Sequence, residues 1–475
     1  MSEQPLHVAV VGGGIAGLAA AHALSRRRPD LRLTLLEGSA GLGGKLRVST
    51  LAGVDLDEGA EALLNRRPEA VDLARAVGLD NDLVHPATVA PSVWTRSAIR
   101  PLPPTVMGIP ADLGALRRSG IMSRAGVTRA QLDRVLPASR LGRDLPVGRL
   151  VAARLGREVR DRLVEPLLGG VYAGHADALS LDAAVPQVAE LLGRHRSLLV
   201  AAAQAKAESK AAGEQPVFAG IRGGVGRLPA AVAATLEASG AQVRCEAMVR
   251  ALERRSQGWR LTWGPTRAEQ VLEADAVVLA VPAPAAARLL QPSSDAAAQA
   301  LNEIDYASVA VVALGFDRAA AGPQLQGSGF LVPPIDKRAI KAATYSSNKW
   351  AWLTEVAPDL VFVRISLGRH REERDLQRDD DDLAAVALAD LRAATGVTSA
   401  PVDTRVTRWG GGLPQYAVGH RERVARIRAA VGELGDLAVC GAAYDGIGVA
   451  ACVASAEQAA TQVLGALAAR ETIEA

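Results

Sequence analysis

Residues 7–45 have the sequence HVAVVGGGIAGLAAAHALSRRRPDLRLTLLEGSAGLGGK, and this stretch predicts the fold of the protein. The run Val8 to Val11 is typical of a buried strand, and Ile15 to Ser25 is typical of a helix that follows it. A second apolar run, Leu31 to Leu36, ends at Glu37. A strand, a glycine-rich turn, a helix and a second strand that ends in an acid form a βαβ unit that binds a dinucleotide.

The glycines of this turn each meet a steric demand of dinucleotide binding. Gly12 permits the tight turn after the strand, Gly14 lets the backbone approach a pyrophosphate, and Gly17 lets the helix pack closely on the strand. The helix N-terminus offers free N–H groups and a positive dipole end to the phosphates. Glu37 is placed to accept hydrogen bonds from the hydroxyls of the adenosine ribose.

A second glycine cluster follows Glu37 and favours FAD over a nicotinamide cofactor. This cluster is GLGGK, residues 41–45. A nicotinamide-binding domain has no general need for glycines at this point, whereas the longer FAD molecule runs past the second strand. We therefore predict FAD as the cofactor.

The composition indicates a folded, intracellular protein of two or three domains. The 475 residues are 49% apolar, which is ample for large cores, and the formal net charge is only +3. Cys245, Cys440 and Cys452 form no CxxC motif, and we expect reduced thiols. Because neither a secretory signal nor a membrane-spanning apolar run is found, we expect a cytoplasmic protein with at most peripheral membrane contact.

The fold class that we predict is α/β, with a discontinuous Rossmann-like domain. Patterns typical of buried strands and packed helices recur in three separated segments, so other domains are inserted between them. The predicted FAD-binding domain comprises residues 1–84, 216–290 and 401–475. A mostly helical, basic insert occupies residues 85–215, and an α+β substrate-binding domain occupies residues 291–400.

The core of the predicted helical insert is strongly basic. Between Arg117 and Arg162 the sequence has twelve arginines and four acidic residues. Three interpretations remain open: a solvated helical surface, attraction of an anionic substrate, and contact with an anionic membrane surface. Binding of nucleic acid is disfavoured, because no aromatic platform or known binding module accompanies the charge.

A motif near the C-terminus, Gly446-x-Gly448-x-x-Ala451, also matches the relaxed dinucleotide pattern. No second strand follows it to complete a βαβ unit, so we do not predict a second nucleotide site. We expect instead a helix N-terminus that faces the flavin. Without a nicotinamide fingerprint, an oxidase or a quinone-linked enzyme is favoured over a nicotinamide-dependent reductase.

Several further segments are more specific than the fingerprint. They are GVDLDEGAEA (53–62), PPTVMGIP (103–110), YAGHADALSL (172–181), IKAATYSSNKW (340–350) and WGGGLPQYAVGH (409–420). In this order, over nearly the whole chain, they resemble the bacterial coproporphyrinogen and protoporphyrinogen oxidases of the FAD-dependent amine oxidase superfamily. His175 departs from that family, which often has an acid there, and so does the segment at 440–446.

The resemblance implies contacts with FAD at positions spread along the chain. The pyrophosphate would bind at Gly12, Gly13, Gly14, Ile15, Ala16 and Gly17, and the adenosine ribose at Glu37. The residues along the ribityl chain and isoalloxazine ring would be Gly44, Lys45, Gly59, Ala60, Glu61 and Ala62. The backbone of Val249 would hold adenine, and Trp409 would flank the cofactor, with ordinary core packing as its alternative role. The pyrimidine end of the ring would meet Ile447, Gly448 and Val449.

The resemblance also implies an activity, the FAD-dependent oxidation of coproporphyrinogen III to coproporphyrin III in haem biosynthesis. O2 would be the acceptor and H2O2 the co-product. The growing conjugation of the product drives each oxidation, so we assign no catalytic acid or base. Arg66 and Arg67 are candidates for binding the propionates of this tetrapyrrole. A ferrochelatase that receives the product is the partner protein that the resemblance implies.

Three alternatives to this activity remain open. Protoporphyrinogen IX, which has fewer propionates, is the nearest alternative substrate. A flavin amine oxidase would need an aromatic cage, and the chain has only four Phe, six Trp and five Tyr, whereas a carotenoid desaturase would have fewer arginines. A flavin-free binding protein of the same fold is disfavoured, because the glycine scaffold extends from Gly12 to Gly448.

Overall fold

The first βαβ unit forms where the sequence predicts it. The computed structural model describes residues 5–138, 144–211 and 216–474. Strands His7–Val11 and Arg32–Leu36 are joined by the helix Ile15–Arg27. Val8 and Val10 contribute to one hydrophobic core, and Ala9 and Val11 contribute to another on the opposite face. Burial on both faces explains why the run is continuously apolar and does not alternate with polar residues.

The first strand lies in the middle of a five-stranded sheet in which all neighbours are parallel. In spatial order the strands are Gln242–Arg244, Arg32–Leu36, His7–Val11, Ala276–Leu279 and Leu437–Val439. We call this the parallel sheet. Its strands come from three separated parts of the chain, which is the discontinuity that the sequence predicts.

Helices cover both faces of the parallel sheet. The helices on one face are Ile15–Arg27, Pro68–Ala76, Arg227–Ala238 and Val449–Glu474. The helices on the other face are Ala283–Leu290, Asp295–Asn302 and His420–Gly432, and beside them lies an antiparallel sheet of Val249–Arg254, Trp259–Trp263 and Gln270–Ala274. The α/β fold class is therefore confirmed.

A second, mostly antiparallel sheet has seven strands. In spatial order they are Asp403–Pro414, Tyr306–Asp317, Leu360–Leu367, Ile340–Tyr345, Gly329–Leu331, Pro91–Thr95 and Ala98–Pro101. The helix Asp380–Thr395 packs on one face through Leu383, Ala387 and Leu391. Its N-cap, Asp379, accepts a hydrogen bond from the backbone N–H of Asp382, so the acidic run of residues 379–382 forms the N-terminus of this helix.

The seven-stranded sheet differs from the predicted segment boundaries at two places. Residues 91–101, which we predicted within the helical insert, form two of its strands, and residues 403–414, which we predicted within the FAD-binding domain, form another. These strands pair with partners far away in sequence, such as Pro91–Thr95 with Gly329–Leu331 and Asp403–Pro414 with Tyr306–Asp317. Local periodicity carries no information about such partners.

Most of residues 113–211 are helical, as predicted. The helices are Leu113–Ser119, Arg124–Gln131, Val147–Leu155, Arg157–Val159, Glu165–Tyr172, Leu181–Ala184, Pro186–Leu192 and Leu198–Ala211, with a π-helical turn at Arg160–Val164. The predicted insert continues to residue 215, and residues 212–215 lie outside the described ranges. Across the described ranges, no helix combines the length and apolar character that crossing a bilayer requires.

The remaining elements are short. The strands are Val48–Leu51, Val54–Asp57, Leu63–Leu64, Leu83–Val84, Thr105–Val106, Ile109–Pro110 and Phe218–Ile221. The α-helices are Arg318–Ala321, Ser346–Lys349 and Ala351–Val356, and the 3₁₀ turns are Asp80–Asp82, Leu132–Arg134, Gly322–Gln324, Pro334–Asp336 and Glu373–Gln377.

One arginine of the basic segment is part of its core. Arg154 Nε lies 2.5 Å from Asp133 Oδ1, and both side chains are at least 95% buried. The second carboxylate oxygen of Asp133 accepts hydrogen bonds from Ser197 Oγ (2.6 Å) and from the N–H of Leu199 (2.9 Å). Asp133 therefore joins three helical segments through one buried carboxylate.

We expect Asp133→Ala to lower the free energy of unfolding by about 3–5 kcal/mol, because Arg154 would remain buried without its counter-charge. Urea unfolding followed by circular dichroism measures this change. Asp72→Ala is the matched control, since Asp72 and Arg75 form an exposed pair, and such pairs contribute about 0–1 kcal/mol. Equal losses in the two variants would contradict the structural role of Asp133.

Candidate functional site

A cavity of about 910 Å³ lies between the parallel sheet and the seven-stranded sheet. Four strands of the parallel sheet reach it at their carboxyl ends, through Gly12, Glu37, Ala280 and Cys440. This edge is where parallel α/β sheets bind their ligands. The cavity is mostly apolar, with a few polar groups at defined positions, as is typical of cofactor sites.

The glycines of the first turn separate into two roles. Gly12 has φ of +108°, and a Cβ at Gly17 would overlap the carbonyl oxygen of Gly12, so these two glycines allow the turn and the close approach of the helix. A Cβ at Gly14 would meet nothing within 4 Å, and Gly14 lines the cavity. Space for a ligand therefore lies directly above Gly14, as the pyrophosphate prediction requires.

Glu37 orders the loops at this end of the cavity. Its Oε2 accepts a hydrogen bond from the N–H of Gly13 (2.6 Å), and its Oε1 accepts from the N–H and the hydroxyl of Ser39 (both 2.7 Å). Gly13 and Gly17 do not line the cavity; the first binds Glu37 and the second packs against the strand. The other predicted cofactor residues all line it.

The second glycine cluster lies against the first. The N–H of Gly43 donates to the carbonyl of Gly13 (2.8 Å), and Gly44 has φ of +59°. A Cβ at Gly59 would overlap the carbonyl oxygen of Lys45, so the two segments are in direct contact. Burial lowers the pKa of the Lys45 ammonium. Lys45 lines the cavity beside these glycines.

Glu61 anchors the loop of residues 59–62. Its carboxylate binds Lys349 Nζ at 2.7 Å and Arg364 Nη1 at 2.8 Å, and Ser346 Oγ lies at 3.1 Å. Burial alone would raise the pKa of Glu61, but the two cations outweigh it and lower that pKa to about 2. The carboxylate is thus ionised at any physiological pH. It fixes the loop to the seven-stranded sheet.

Trp409 lies where that loop meets the sheet. Its Nε1 donates to the carbonyl of Glu58 at 3.3 Å, and the guanidinium of Arg47 lies 5.1 Å from its ring. Trp409 is half-buried and lines the cavity. The position is compatible with the predicted contact to the cofactor, and the side chain also packs on the loop.

The C-terminal glycine motif opens onto the same cavity. Ile447, Gly448 and Val449 line it, and the helix Val449–Glu474 begins there. The first N–H groups of a helix have no partners within the helix, so they are available to a ligand. At the opposite end Val249 lines the cavity. The two glycine motifs therefore serve one cavity, as we predicted.

Arg66 and Arg67 lie outside the lining. Arg66 donates to the hydroxyl of Ser209, and Arg67 forms an ion pair with Glu69 at 2.8 Å. His175 also lies outside the lining, where it is hydrogen-bonded to Glu165 at 3.1 Å. Glu165 raises the pKa of His175.

Sequence reasoning missed the wall formed by the seven-stranded sheet. Its polar members are Lys341, Thr344, Arg364 and Ser366. Arg364 and Ser366 alternate with Val363 and Leu367, which pack in the core behind the sheet, and with Ile365, which belongs to that core and also lines the cavity. The sequence offers one signal for this wall: Arg364 is a charged residue within the otherwise mostly apolar strand Leu360–Leu367. Such a charge is rarely buried unless it has a partner or faces a cavity.

The fold and cavity define a protein that holds a dinucleotide across the carboxyl ends of a parallel sheet and presents it to a second domain. Two observations fit FAD: the open space above Gly14, and the helix start at Val449 on the same cavity. The glycine segments would hold the phosphates, and the loop of residues 59–62 would lie along the ring. Bound FAD supplies a two-electron acceptor.

Comparison with known proteins identifies the family. The profile described as flavin containing amine oxidoreductase matches residues 15–464. A coproporphyrinogen III oxidase from Mycobacterium tuberculosis is 38% identical over 479 residues, covering 98% of both chains. One from Bacillus subtilis is 31% identical and covers 98% of this chain and 99% of its own. A crystal structure of a candidate protoporphyrinogen oxidase from an Exiguobacterium species has 30% identity and a TM-score of 0.84, with 96% and 98% of the chains covered.

The chain belongs to the flavin-containing amine oxidoreductase family. It is an oxidoreductase, and its cofactor is FAD. The family therefore agrees with the resemblance on which the sequence analysis relied.

We expect Gly14→Val to weaken FAD binding by about 10- to 100-fold, since filling an occupied space costs about 1–3 kcal/mol. Gly14 has φ of −70°, so valine causes no backbone strain. Titration of the apoprotein with FAD, followed by flavin fluorescence, measures the change. Gly465→Val, at an exposed helical position with nothing within 4 Å, is the control. Unchanged affinity in Gly14→Val would exclude the predicted pyrophosphate site.

Proposed function

We propose that the protein oxidises coproporphyrinogen III to coproporphyrin III, with O2 as electron acceptor and H2O2 as co-product. The observation that carries this proposal is the 38% identity to the M. tuberculosis coproporphyrinogen III oxidase over 98% of both chains. The two sequences therefore align along almost their whole lengths. Coproporphyrin III would then pass to a ferrochelatase.

The cavity is compatible with a carboxylated tetrapyrrole. Beyond the predicted flavin contacts it continues along the seven-stranded sheet, where Val309, Val311 and Leu413 give an apolar wall. Lys341 and Arg364 bring cationic groups to the same wall. An apolar macrocycle with acidic substituents needs this combination of surfaces.

The reaction makes modest demands on the protein. Each step removes two hydrogens from the porphyrinogen, and each pair reduces one O2 to H2O2. Aromatic stabilisation of the product drives the steps, so the side chains mainly hold the reacting carbon in place and exclude water. Val309, Val311 and Ile365 supply apolar surface for the second task.

Protoporphyrinogen IX is the second candidate substrate, because the similar Exiguobacterium structure is described by that activity. Coproporphyrinogen carries more propionates than protoporphyrinogen, and the part of the cavity wall formed by the seven-stranded sheet carries the cationic residues Lys341 and Arg364. This balance favours the more acidic substrate, since hydrogen bonds to charged groups contribute about 1.5–3 kcal/mol.

We expect kcat/KM to be at least about tenfold higher for coproporphyrinogen III than for protoporphyrinogen IX, which corresponds to one additional charged contact. Steady-state oxidation of both porphyrinogens, followed by porphyrin fluorescence with parallel detection of H2O2, measures the ratio. A higher value for protoporphyrinogen IX would refute the preferred substrate. Porphyrin formation without H2O2 would refute O2 as the acceptor.

A further inference from the structure

A β-bulge turns Lys341 towards the cavity. Ile340 pairs with Leu367 and Ala342 pairs with Ser366, so the strand has one extra residue between two successive pairs. Ile340 packs in the core behind the sheet, whereas Lys341 lines the cavity. Without the bulge, Lys341 would share the core-facing side of the strand with Ala343 and Tyr345. Bulges commonly redirect a side chain beside an active site.

Lys341 is a deeply buried cation of the cavity wall that lacks a counter-ion. The residue is only 4% exposed, and its ammonium has no hydrogen bond or ion pair with any residue in the described ranges. Arg364 nearby binds the carboxylate of Glu61, which it shares with Lys349. Burial and the neighbouring charge of Arg369 lower the pKa of Lys341 to about 7. A buried cation without a partner is costly, so this position favours an anionic ligand.

The surroundings of Lys341 complete a site for a carboxylate. Thr344 and Ser366 line the same wall and present hydroxyl groups, each with no hydrogen bond among the described residues. Arg369, the charge that acts on Lys341, is itself attracted to Glu165 and Glu372. A carboxylate that reaches this wall would therefore find a buried ammonium without a counter-ion and two unpaired hydroxyl groups beside it.

We propose that Lys341 binds a carboxylate of the substrate and thereby fixes which edge of the tetrapyrrole faces the seven-stranded sheet. This inference rests on the proposed function for the identity of the substrate. It makes Lys341 a binding and positioning residue. A role as proton acceptor would act on kcat, whereas carboxylate binding acts on KM and on the affinity for any ligand with the same acidic groups.

The test uses three variants of the FAD-loaded enzyme and one pair of ligands. Lys341→Met removes the charge but keeps the shape, Lys341→Arg keeps the charge, and Lys206→Met on an exposed helix is the control. The ligands are coproporphyrin III and its tetramethyl ester, which lacks the charges. Porphyrin absorbance titrations give Kd without any turnover, and KM and kcat are measured with coproporphyrinogen III.

We expect Lys341→Met to weaken coproporphyrin III binding and raise KM by about 10- to 100-fold, the value of one buried charged contact. We expect kcat to change little, the ester to bind as before, and Lys341→Arg to recover most of the affinity. Unchanged Kd in Lys341→Met would overturn the proposal. An equal loss of ester binding, or a loss confined to kcat, would overturn it as well.

These outcomes also separate the inference from the proposed function. If wild-type enzyme oxidises neither porphyrinogen, the proposed function fails. Charge-dependent binding of coproporphyrin III through Lys341 would still support the carboxylate site. If the wild-type enzyme oxidises coproporphyrinogen III normally and Lys341→Met matches it in KM, only the inference fails.

Discussion

The ion cluster of Glu61, Lys349 and Arg364 joins the two halves of the molecule beside the cavity. Its carboxylate belongs to the loop beside the parallel sheet, and its cations belong to the seven-stranded sheet domain. Removing one member would leave a buried charge, which costs about 3–5 kcal/mol. The position of the loop of residues 59–62 and the orientation of Arg364 depend on this contact. A largely buried cluster of this kind gives the cavity a fixed geometry.

Local features of the sequence predicted much of this arrangement. The glycine motifs at Gly12 and Gly448 could be recognised because steric demands on the backbone are met within a few residues. Long-range pairing is different: the strands at 91–101 join a sheet whose other members lie beyond residue 300. The sequence did not predict the role of Lys341 for the same reason. The bulge beside it depends on the pairing with the strand Leu360–Leu367, so the sequence around Lys341 does not reveal it. Arg66 and Arg67 are close to the flavin loop in sequence, but their side chains are directed to Ser209 and Glu69.

The composition of the arginine-rich segment, residues 117–162, overstates the positive charge of its surface. Arg154 is buried against Asp133, Arg129 donates to the carbonyls of Arg154 and Ala153, and Arg162 pairs with Asp336. These guanidinium groups organise the helices and their contact with the sheet. Part of the charge excess therefore serves internal structure, because one guanidinium can satisfy several carbonyl groups that helices leave unpaired at their ends. The cations that matter for a ligand are the few on the cavity wall.

The parallel sheet takes its last strand, Leu437–Val439, and a long covering helix from the C-terminal part of the chain. During translation the nucleotide loop at Gly12 emerges first, yet the cavity wall at Gly448 emerges only after both intervening regions. Domains tend to fold in the order of their synthesis, and this domain cannot follow that order. The cavity is therefore complete only once the helix Val449–Glu474 has been synthesised and has packed on the parallel sheet.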